Sequence, residues 1–98
     1  MYGTVARMKI KPGQIEALEE WAKDSRLEDT PGAIAGYAFR MDDNPNEIYM
    51  AVVFEDKESY VANAESPETN EQYLKMRESL EAEPEWHDGE IVWCAPSS

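Results

Sequence analysis

The sequence predicts a single α+β domain, spanning residues 1–98, with a four-stranded antiparallel sheet and helices on one face of that sheet. Three observations support this. Apolar residues alternate along some segments, as in strands, and recur every three or four residues along others, as in helices. The segments follow one another in the order β-α-β-β-α-β, and no internal repeat interrupts them. This order is the ferredoxin-like plan.

The first strand is predicted over residues 2–11, and the first helix follows it. Residues 11–14, "KPGQ", end the strand because Pro12 donates no ladder hydrogen bond and Gly13 permits a turn. From residue 14 the apolar spacing becomes helical, and "TPG" at 30–32 ends the helix. One face of the strand consists of Tyr2, Thr4, Ala6, Met8 and Ile10. One face of the helix consists of Ile15, Leu18, Trp21, Ala22 and Ser25.

Residues 33–42 and 47–56 are predicted to form a β-hairpin. The turn-forming segment "DDNPNE" separates them, so the two strands pair antiparallel. The second of these strands is apolar on both faces, which is typical of a strand buried on both sides. One face consists of Ile48, Met50, Val52 and Phe54, and the other of Tyr49, Ala51 and Val53.

The second helix is predicted in two parts. Asp56 caps the first part, whose buried stripe is Tyr60, Val61 and Ala64. Ser66 caps the second part, with Pro67 in the first helical position, and Pro84 ends it. Its inward stripe is Tyr73, Met76 and Leu80. The last strand is predicted at residues 90–94.

Two helices on one face leave the other apolar side of the hairpin uncovered. Such a surface usually marks an interface, so we expect a homodimer in which two sheets face each other and close a barrel. The sequence leaves open which sheet face meets the helices.

Composition excludes several function classes. There are 21 acidic and 9 basic residues, and a net charge of −12 argues against nucleic-acid binding. No apolar run reaches the length of a membrane span, and the first residues lack the apolar core of a signal peptide. The single cysteine, Cys94, excludes an intrachain disulfide, so we expect a cytoplasmic protein. One His and one Cys do not build a typical zinc site, and no metal is expected.

Three stretches, "KPGQIEALEEW", "EIYMAVVFEDKESYVANAESPE" and "EPEWHDGEIV", resemble the antibiotic biosynthesis monooxygenase superfamily. The resemblance implies a dimeric α+β barrel with a ligand pocket between helices and sheet. It also implies cofactor-independent oxygenation of an aromatic, quinol or polyketide-like molecule. Some relatives degrade haem, but this first strand lacks their Asn and this middle helix lacks their Trp. A non-enzymatic dimeric module that binds a small ligand is the alternative.

The resemblance places Asn63 where many members carry a polar residue on the middle helix. An Asn can hydrogen-bond a phenol or an oxygen species, although it is no general base. Tyr73 and His87, the one histidine, are further catalytic candidates, and His87 could equally be a surface residue beside Asp88. Predicted contacts to an aromatic ligand are Tyr37, Tyr60, Trp86 and Arg40, of which the aromatic residues could instead be core and Arg40 could form an ion pair.

Overall fold

The computed structural model describes residues 1–24 and 27–95, and it has the predicted α+β architecture. Its elements are β1 (Tyr2–Lys9), α1 (Ile15–Asp24), β2 (Ala33–Arg40), β3 (Glu47–Phe54), α2 (Lys57–Ala64), α3 (Pro67–Arg77) and β4 (Glu85–Glu90). A 3₁₀ turn, Leu27–Asp29, precedes β2. Ser25, predicted on the buried face of the first helix, lies outside the described residues.

The four strands form one antiparallel sheet in the order β2-β3-β1-β4. Strand β1 lies between β3 and β4, with Tyr2 opposite Phe54 on one side and Glu90 on the other. The β2–β3 pair is the predicted hairpin, and its register shifts between Ala33 and Ala35. This strand order confirms the ferredoxin-like plan.

One sheet face, the inner face, packs against the helices. It carries the even-numbered residues of β1 and β3, which resolves the choice that the sequence left open. Residues of both strands join the helices in one buried core, made up of Ala6, Met8, Ile10, Leu18, Ile48, Met76 and Leu80. Full burial of a side chain such as Met8 contributes about 1.5–3 kcal/mol, so this core is the main source of stability.

The opposite side of the sheet, the outer face, has no helix of the described residues against it. Tyr37 and Phe39 stack there with ring centroids 6.4 Å apart, and they are 59% and 52% exposed. Val5 is exposed beside them, and Tyr49 lies directly across from Phe39. The prediction that helices cover only one side of the hairpin is confirmed.

A charged cluster lies on the outer face and joins three strands. Arg7 of β1 contacts Glu47 of β3 at 3.0 Å and Glu85 of β4 at 2.9 Å. The hydrogen bonds to Glu47 and Glu85 raise the pKa of the Arg7 guanidinium. The cluster therefore ties β1 to both of its neighbours through side chains as well as through the backbone ladder.

Both predicted helix caps are present. Asp56 Oδ1 accepts a 2.7 Å hydrogen bond from the Ser59 N–H, and Ser66 Oγ accepts a longer one, 3.5 Å, from the Thr69 N–H. Pro67 is the first residue of α3, as predicted. The caps place the break between α2 and α3 at residues 65 and 66, where the backbone turns from one helix into the next.

The buried stripe predicted for α2 is wrong at Val61 and Ala64, which are both exposed. Only Tyr60 packs closely on the sheet, with its ring 5.3 Å from Tyr2 and 5.6 Å from Phe54 between centroids. Ala64 is exposed because it lines the cavity between α2 and the sheet, whereas Val61 is not among the residues that line it. The stripe predicted for α3 reaches the core through Met76, with Tyr73 packed against it.

The end of α3 and the last strand also differ from prediction. Helix α3 ends at Arg77 rather than near Pro84, and Leu80 forms an isolated bridge with Ile10. Strand β4 covers Glu85–Glu90, earlier than the predicted 90–94, while Val92 and Trp93 are 91% and 79% exposed. This polar edge strand forms through backbone pairing with β1 and not through apolar side chains. The prediction relied on the apolar residues that follow it and therefore placed the strand too late.

Candidate functional site

A cavity of about 1370 Å³ lies between the helices and the inner face of the sheet. This is where the sequence resemblance places the ligand pocket. Inner-face side chains of β3 form an apolar floor, and residues from three helices and β4 form the walls. The floor includes Met50, Val52 and Phe54; the walls include Trp21, Asn63, Thr69, Tyr73 and Trp86.

The cavity is open along β2. Gly36 and Ala38 lie opposite Val52 and Met50 in the sheet register, so they belong to the inner face, yet both are exposed. Leu27 packs over Gly36 closely enough that an added Cβ would lie 2.6 Å from Leu27 Cδ2. An alanine at 36 would have to displace the end of the Leu27 side chain. The neighbouring part of this edge, at Ala38, forms the mouth of the cavity.

Asn63 and Thr69 form one polar point in the cavity wall. Thr69 Oγ1 donates a 3.0 Å hydrogen bond to Asn63 Oδ1, and both side chains are half-buried. The Ser66 cap holds the Thr69 backbone in the first turn of α3. Because the amide oxygen of Asn63 is occupied, its amide nitrogen, with two N–H donors, is the group offered to a ligand.

Tyr73 and Trp86 form an aromatic wall, with ring centroids 6.3 Å apart. The Tyr73 hydroxyl donates to Glu83, whose other carboxylate oxygen lies 3.1 Å from Arg77 Nε. The hydrogen bond to Glu83 raises the pKa of Tyr73, and partial burial acts in the same direction. Tyr73 therefore stays protonated near neutral pH and offers a ligand its ring.

Trp21 links α1 to α3 at the far side of the cavity. Its indole N–H donates a 2.7 Å hydrogen bond to the backbone carbonyl of Gln72. The side chain is half-buried and packs against the core, as predicted, and it also lines the cavity. This bond fixes the spacing of the two helices that enclose the cavity from above.

Tyr60, Asp88 and Thr4 form a second polar point. The Tyr60 hydroxyl donates a 2.8 Å hydrogen bond to Asp88 Oδ1. Burial raises the pKa of Tyr60 to about 12, the bond to Asp88 acts in the same direction, and the Thr4 hydroxyl acts in the opposite one. Among the described residues, Thr4 Oγ1 finds no partner with hydrogen-bonding geometry, although Thr4 is only 5% exposed.

Two predicted site residues lie elsewhere. His87 is the register partner of Val5, so its side chain belongs to the outer face, away from Asn63. Arg40 is exposed and donates a 3.0 Å hydrogen bond to the carbonyl of Pro45 in the hairpin loop.

Tyr37 lines the open edge of the cavity along β2, while its ring stacks on Phe39. The predicted residues that the cavity brings together are Tyr37, Tyr60, Asn63, Tyr73 and Trp86.

Sequence reasoning missed Thr4, Thr69 and Asp88 as site residues. Thr4 did carry a signal, because it is the one short hydroxyl on an otherwise apolar strand face. Asp88 directly follows His87 in the sequence, and a position in a predicted turn gives no indication that its side chain reaches the cavity. No local pattern marks Thr69, since its contact with Asn63 depends on the angle between two helices.

Across residues 1–24 and 27–95, no group of three or more His, Cys, Asp or Glu side chains is placed to hold a metal ion. In the same ranges, every helix is too short or too polar to cross a bilayer.

The family model for antibiotic biosynthesis monooxygenase matches residues 1–72. Among solved structures, a mutant of SnoaB, a cofactor-independent oxygenase from Streptomyces nogalater, superimposes with a TM-score of 0.84 at 15% identity, over 98% of this chain and 97% of that one. A proposed antibiotic biosynthesis monooxygenase from Chloroflexus aurantiacus gives 0.79 at 24% identity, over 95% and 94%.

A conserved protein from Methanosarcina mazei gives a TM-score of 0.81 at 20% identity, over 90% of this chain and 89% of that one. At such identities the structural likeness concerns the fold. A comparison with curated protein sequences gave no significant match.

Proposed function

Because this chain belongs to the antibiotic biosynthesis monooxygenase family, we propose that it is a cofactor-independent monooxygenase acting on an aromatic, quinol or polyketide-like small molecule. The observation that carries the proposal is the Asn63 amide, which Thr69 holds by its oxygen in the wall of a cavity floored by apolar side chains. A flat apolar molecule fits this floor, and an oxygen atom on it finds the amide N–H donors.

In such chemistry the substrate supplies the electrons. A methylene group activated by phenolic rings gives up two hydrogens to O₂; one oxygen atom stays as a carbonyl and the other leaves as water. Negative charge develops on the substrate and on the reduced oxygen as the phenol loses its proton. The amide nitrogen of Asn63 donates hydrogen bonds to that charge, and the apolar floor strengthens the interaction by excluding water.

Tyr73 and Trp86 position the ring system in this scheme. Tyr60 and Tyr73 each have a raised pKa, so each remains a neutral phenol and does not act as a tyrosinate base near neutral pH. Aromatic pairs of this kind favour offset or edge contacts with a flat ligand. Their part is therefore orientation rather than proton abstraction.

The working form is a homodimer joined through the outer faces. The support is the exposed pair Tyr37 and Phe39, with exposed Val5 on the same sheet side, which no helix within residues 1–24 and 27–95 covers. Two copies placed face to face remove both apolar surfaces from water. The proposed compartment is the cytosol, in keeping with a single cysteine in the chain.

The test is oxygen consumption by the purified protein with a panel of anthrones and quinols, measured against spontaneous oxidation. Asn63→Ala removes the proposed donor, and Asn46→Ala, in the exposed hairpin loop, is the matched control. We expect the wild type and Asn46→Ala to consume oxygen and Asn63→Ala to be slow. Saturable binding of the panel without oxygen uptake would instead identify a non-enzymatic ligand-binding module.

A further inference from the structure

We propose that Thr4, Tyr60 and Asp88, here called the Thr4 subsite, bind a hydroxyl group of an aromatic ligand by accepting its hydrogen. The proposal deepens the proposed function, because it treats the same cavity as the substrate site. It names the class of substrate as a neutral hydroxylated ring system that also carries an oxygen acceptor for Asn63.

The backbone of the sheet brings the subsite together. Thr4 of β1 lies directly opposite Asp88 of β4, so both side chains rise from the inner face. Side chains paired in this way have Cβ atoms about 4.5–5.5 Å apart. Tyr60 descends from α2 with its ring between Tyr2 and Phe54, and its hydroxyl reaches Asp88 Oδ1 at 2.8 Å.

Thr4 supplies the evidence that a ligand group belongs here. It lines the cavity and is 5% exposed, and no group in the described part of the chain donates a hydrogen bond to its Oγ1. Its polar neighbour on α2 is the Tyr60 hydroxyl, whose pKa it lowers without forming a hydrogen bond of normal geometry. Buried hydroxyl groups in folded proteins are nearly always paired with protein, water or ligand, because desolvation without a partner is unfavourable. A polar atom bound in the cavity completes this pairing.

The polarity of the subsite decides which polar atom fits. The Asp88 carboxylate accepts hydrogen bonds, and the one hydrogen of the Tyr60 hydroxyl already points to it. The Thr4 hydrogen lies toward the Tyr60 oxygen, since the Thr4 hydroxyl lowers the pKa of Tyr60. Acceptors therefore outnumber free donors, and a ligand group must bring its own hydrogen. A hydroxyl does so, a methyl ether does not, and a carboxylate is also repelled by Asp88 and by the net charge of −12.

Three probes that share one ring system test this polarity: 2-hydroxyanthraquinone, 2-methoxyanthraquinone and anthraquinone-2-carboxylate. Each has quinone oxygens for Asn63, and only the first has a hydroxyl hydrogen. Quenching of tryptophan fluorescence measures the binding, because Trp21 and Trp86 line the cavity. The measurements are made in mildly acidic buffer. We expect the wild type to bind the hydroxy probe roughly tenfold more tightly than the methoxy probe.

Variants assign the preference to the subsite. Thr4→Val keeps the shape and removes the hydroxyl, so the preference should fall to about twofold or less, whereas Thr4→Ser should retain it. Asp88→Asn should let the carboxylate probe bind better. Asp43→Asn, in the exposed hairpin loop, removes the same charge away from the cavity and should leave all three affinities unchanged. Thermal melts of each variant establish that it is folded.

The inference is overturned if the wild type binds the methoxy probe as tightly as the hydroxy probe, if Thr4→Val keeps the preference, or if none of the probes binds. These measurements involve no turnover. A hydroxyl preference that depends on Thr4, in a protein that consumes no oxygen with any anthrone or quinol, supports the subsite and removes the proposed activity. Oxygen consumption by a protein that shows no preference for the hydroxy probe supports the proposed activity and overturns the subsite.

Discussion

Thr69 Oγ1 lies 3.0 Å from Asn63 Oδ1 and joins α2 to α3 at the wall of the cavity. The contact makes the direction of the Asn63 amide depend on a residue six positions further along the chain, in another helix. Thr69 is therefore a positioning residue in the proposed mechanism, because it acts on substrate only through Asn63.

Replacement of Thr69 by valine should lower the rate of oxygen consumption while leaving the protein folded. Without the hydroxyl, the Asn63 amide is free to rotate, and its N–H groups no longer point steadily to the developing charge. Loss of one such donor typically costs a factor of about 10² to 10³ in kcat, so a loosened donor should cost roughly tenfold. Steady-state assays should show the loss in kcat with little change in KM.

The matched control is Thr69→Ser, which keeps the hydroxyl and should retain most of the rate. A rate for Thr69→Val equal to that of the wild type would contradict the positioning role. An equal loss in Thr69→Ser would do so as well, because serine keeps the hydroxyl and the loss would then not depend on it.

Phe39→Glu should convert the dimer to a monomer. The change replaces one member of the exposed apolar pair, Tyr37 and Phe39, by a charged side chain. In the proposed dimer, the second subunit would have to bury that charge. Light scattering coupled to gel filtration measures the mass directly. Leu74→Glu is the control, since Leu74 is exposed on α3 and lies outside the outer face. A wild type that is monomeric at micromolar concentration would contradict the proposed assembly.

Met76→Ala should destabilise the fold by about 2–5 kcal/mol, the usual cost of truncating a buried residue of this size. Met76 is fully enclosed where α3 meets the sheet, beside Met8 and Ile48 in the core. Urea unfolding at one fixed protomer concentration gives the difference. Leu74→Ala, on the exposed side of the same helix, should stay within about 0.5 kcal/mol of the wild type.

Tyr60 should make the fold lose stability as the pH rises from about 10, the ordinary pKa of a tyrosine, to about 12, its pKa in the folded protein. Within that window the folded state keeps a proton that the unfolded state has released, so alkali favours unfolding. The contribution is complete below the window and absent above it. Tyr60→Phe should therefore show a shallower decline of urea stability with pH. Parallel declines in the two proteins would be the contrary result.

Local signals in the sequence predicted much of the fold. Both helix caps could be predicted because the side chains of Asp56 and Ser66 each accept a hydrogen bond from the backbone N–H three residues later. Such a contact depends only on the local geometry of the chain. The two apolar faces of β3 predicted a sheet covered by helices on one side only, and the outer face confirms it. The apolar period of the first helix placed Leu18 in the core.

Features that depend on contacts between distant parts of the chain could not be predicted from the sequence. Strand β4 is polar and is held by its pairing with β1, so its own residues carry little strand signal. The partners Thr4 and Asp88 are separated by most of the chain and meet only through that register. Asn63 and Tyr73 could be proposed from a family resemblance, whereas Thr69 required the angle between α2 and α3.

The exposed inner face of β2 at Ala38 has a consequence for selectivity and for rate. A binding site that lacks one wall sets no upper limit on the length of a bound molecule, and entry and exit require no hinge motion. Rejection of wrong molecules must then come from hydrogen bonding at Asn63 and Thr4, while the free end of a long molecule projects past Ala38 into water. Such a protein would tolerate a family of related ring systems that differ at their outer ends.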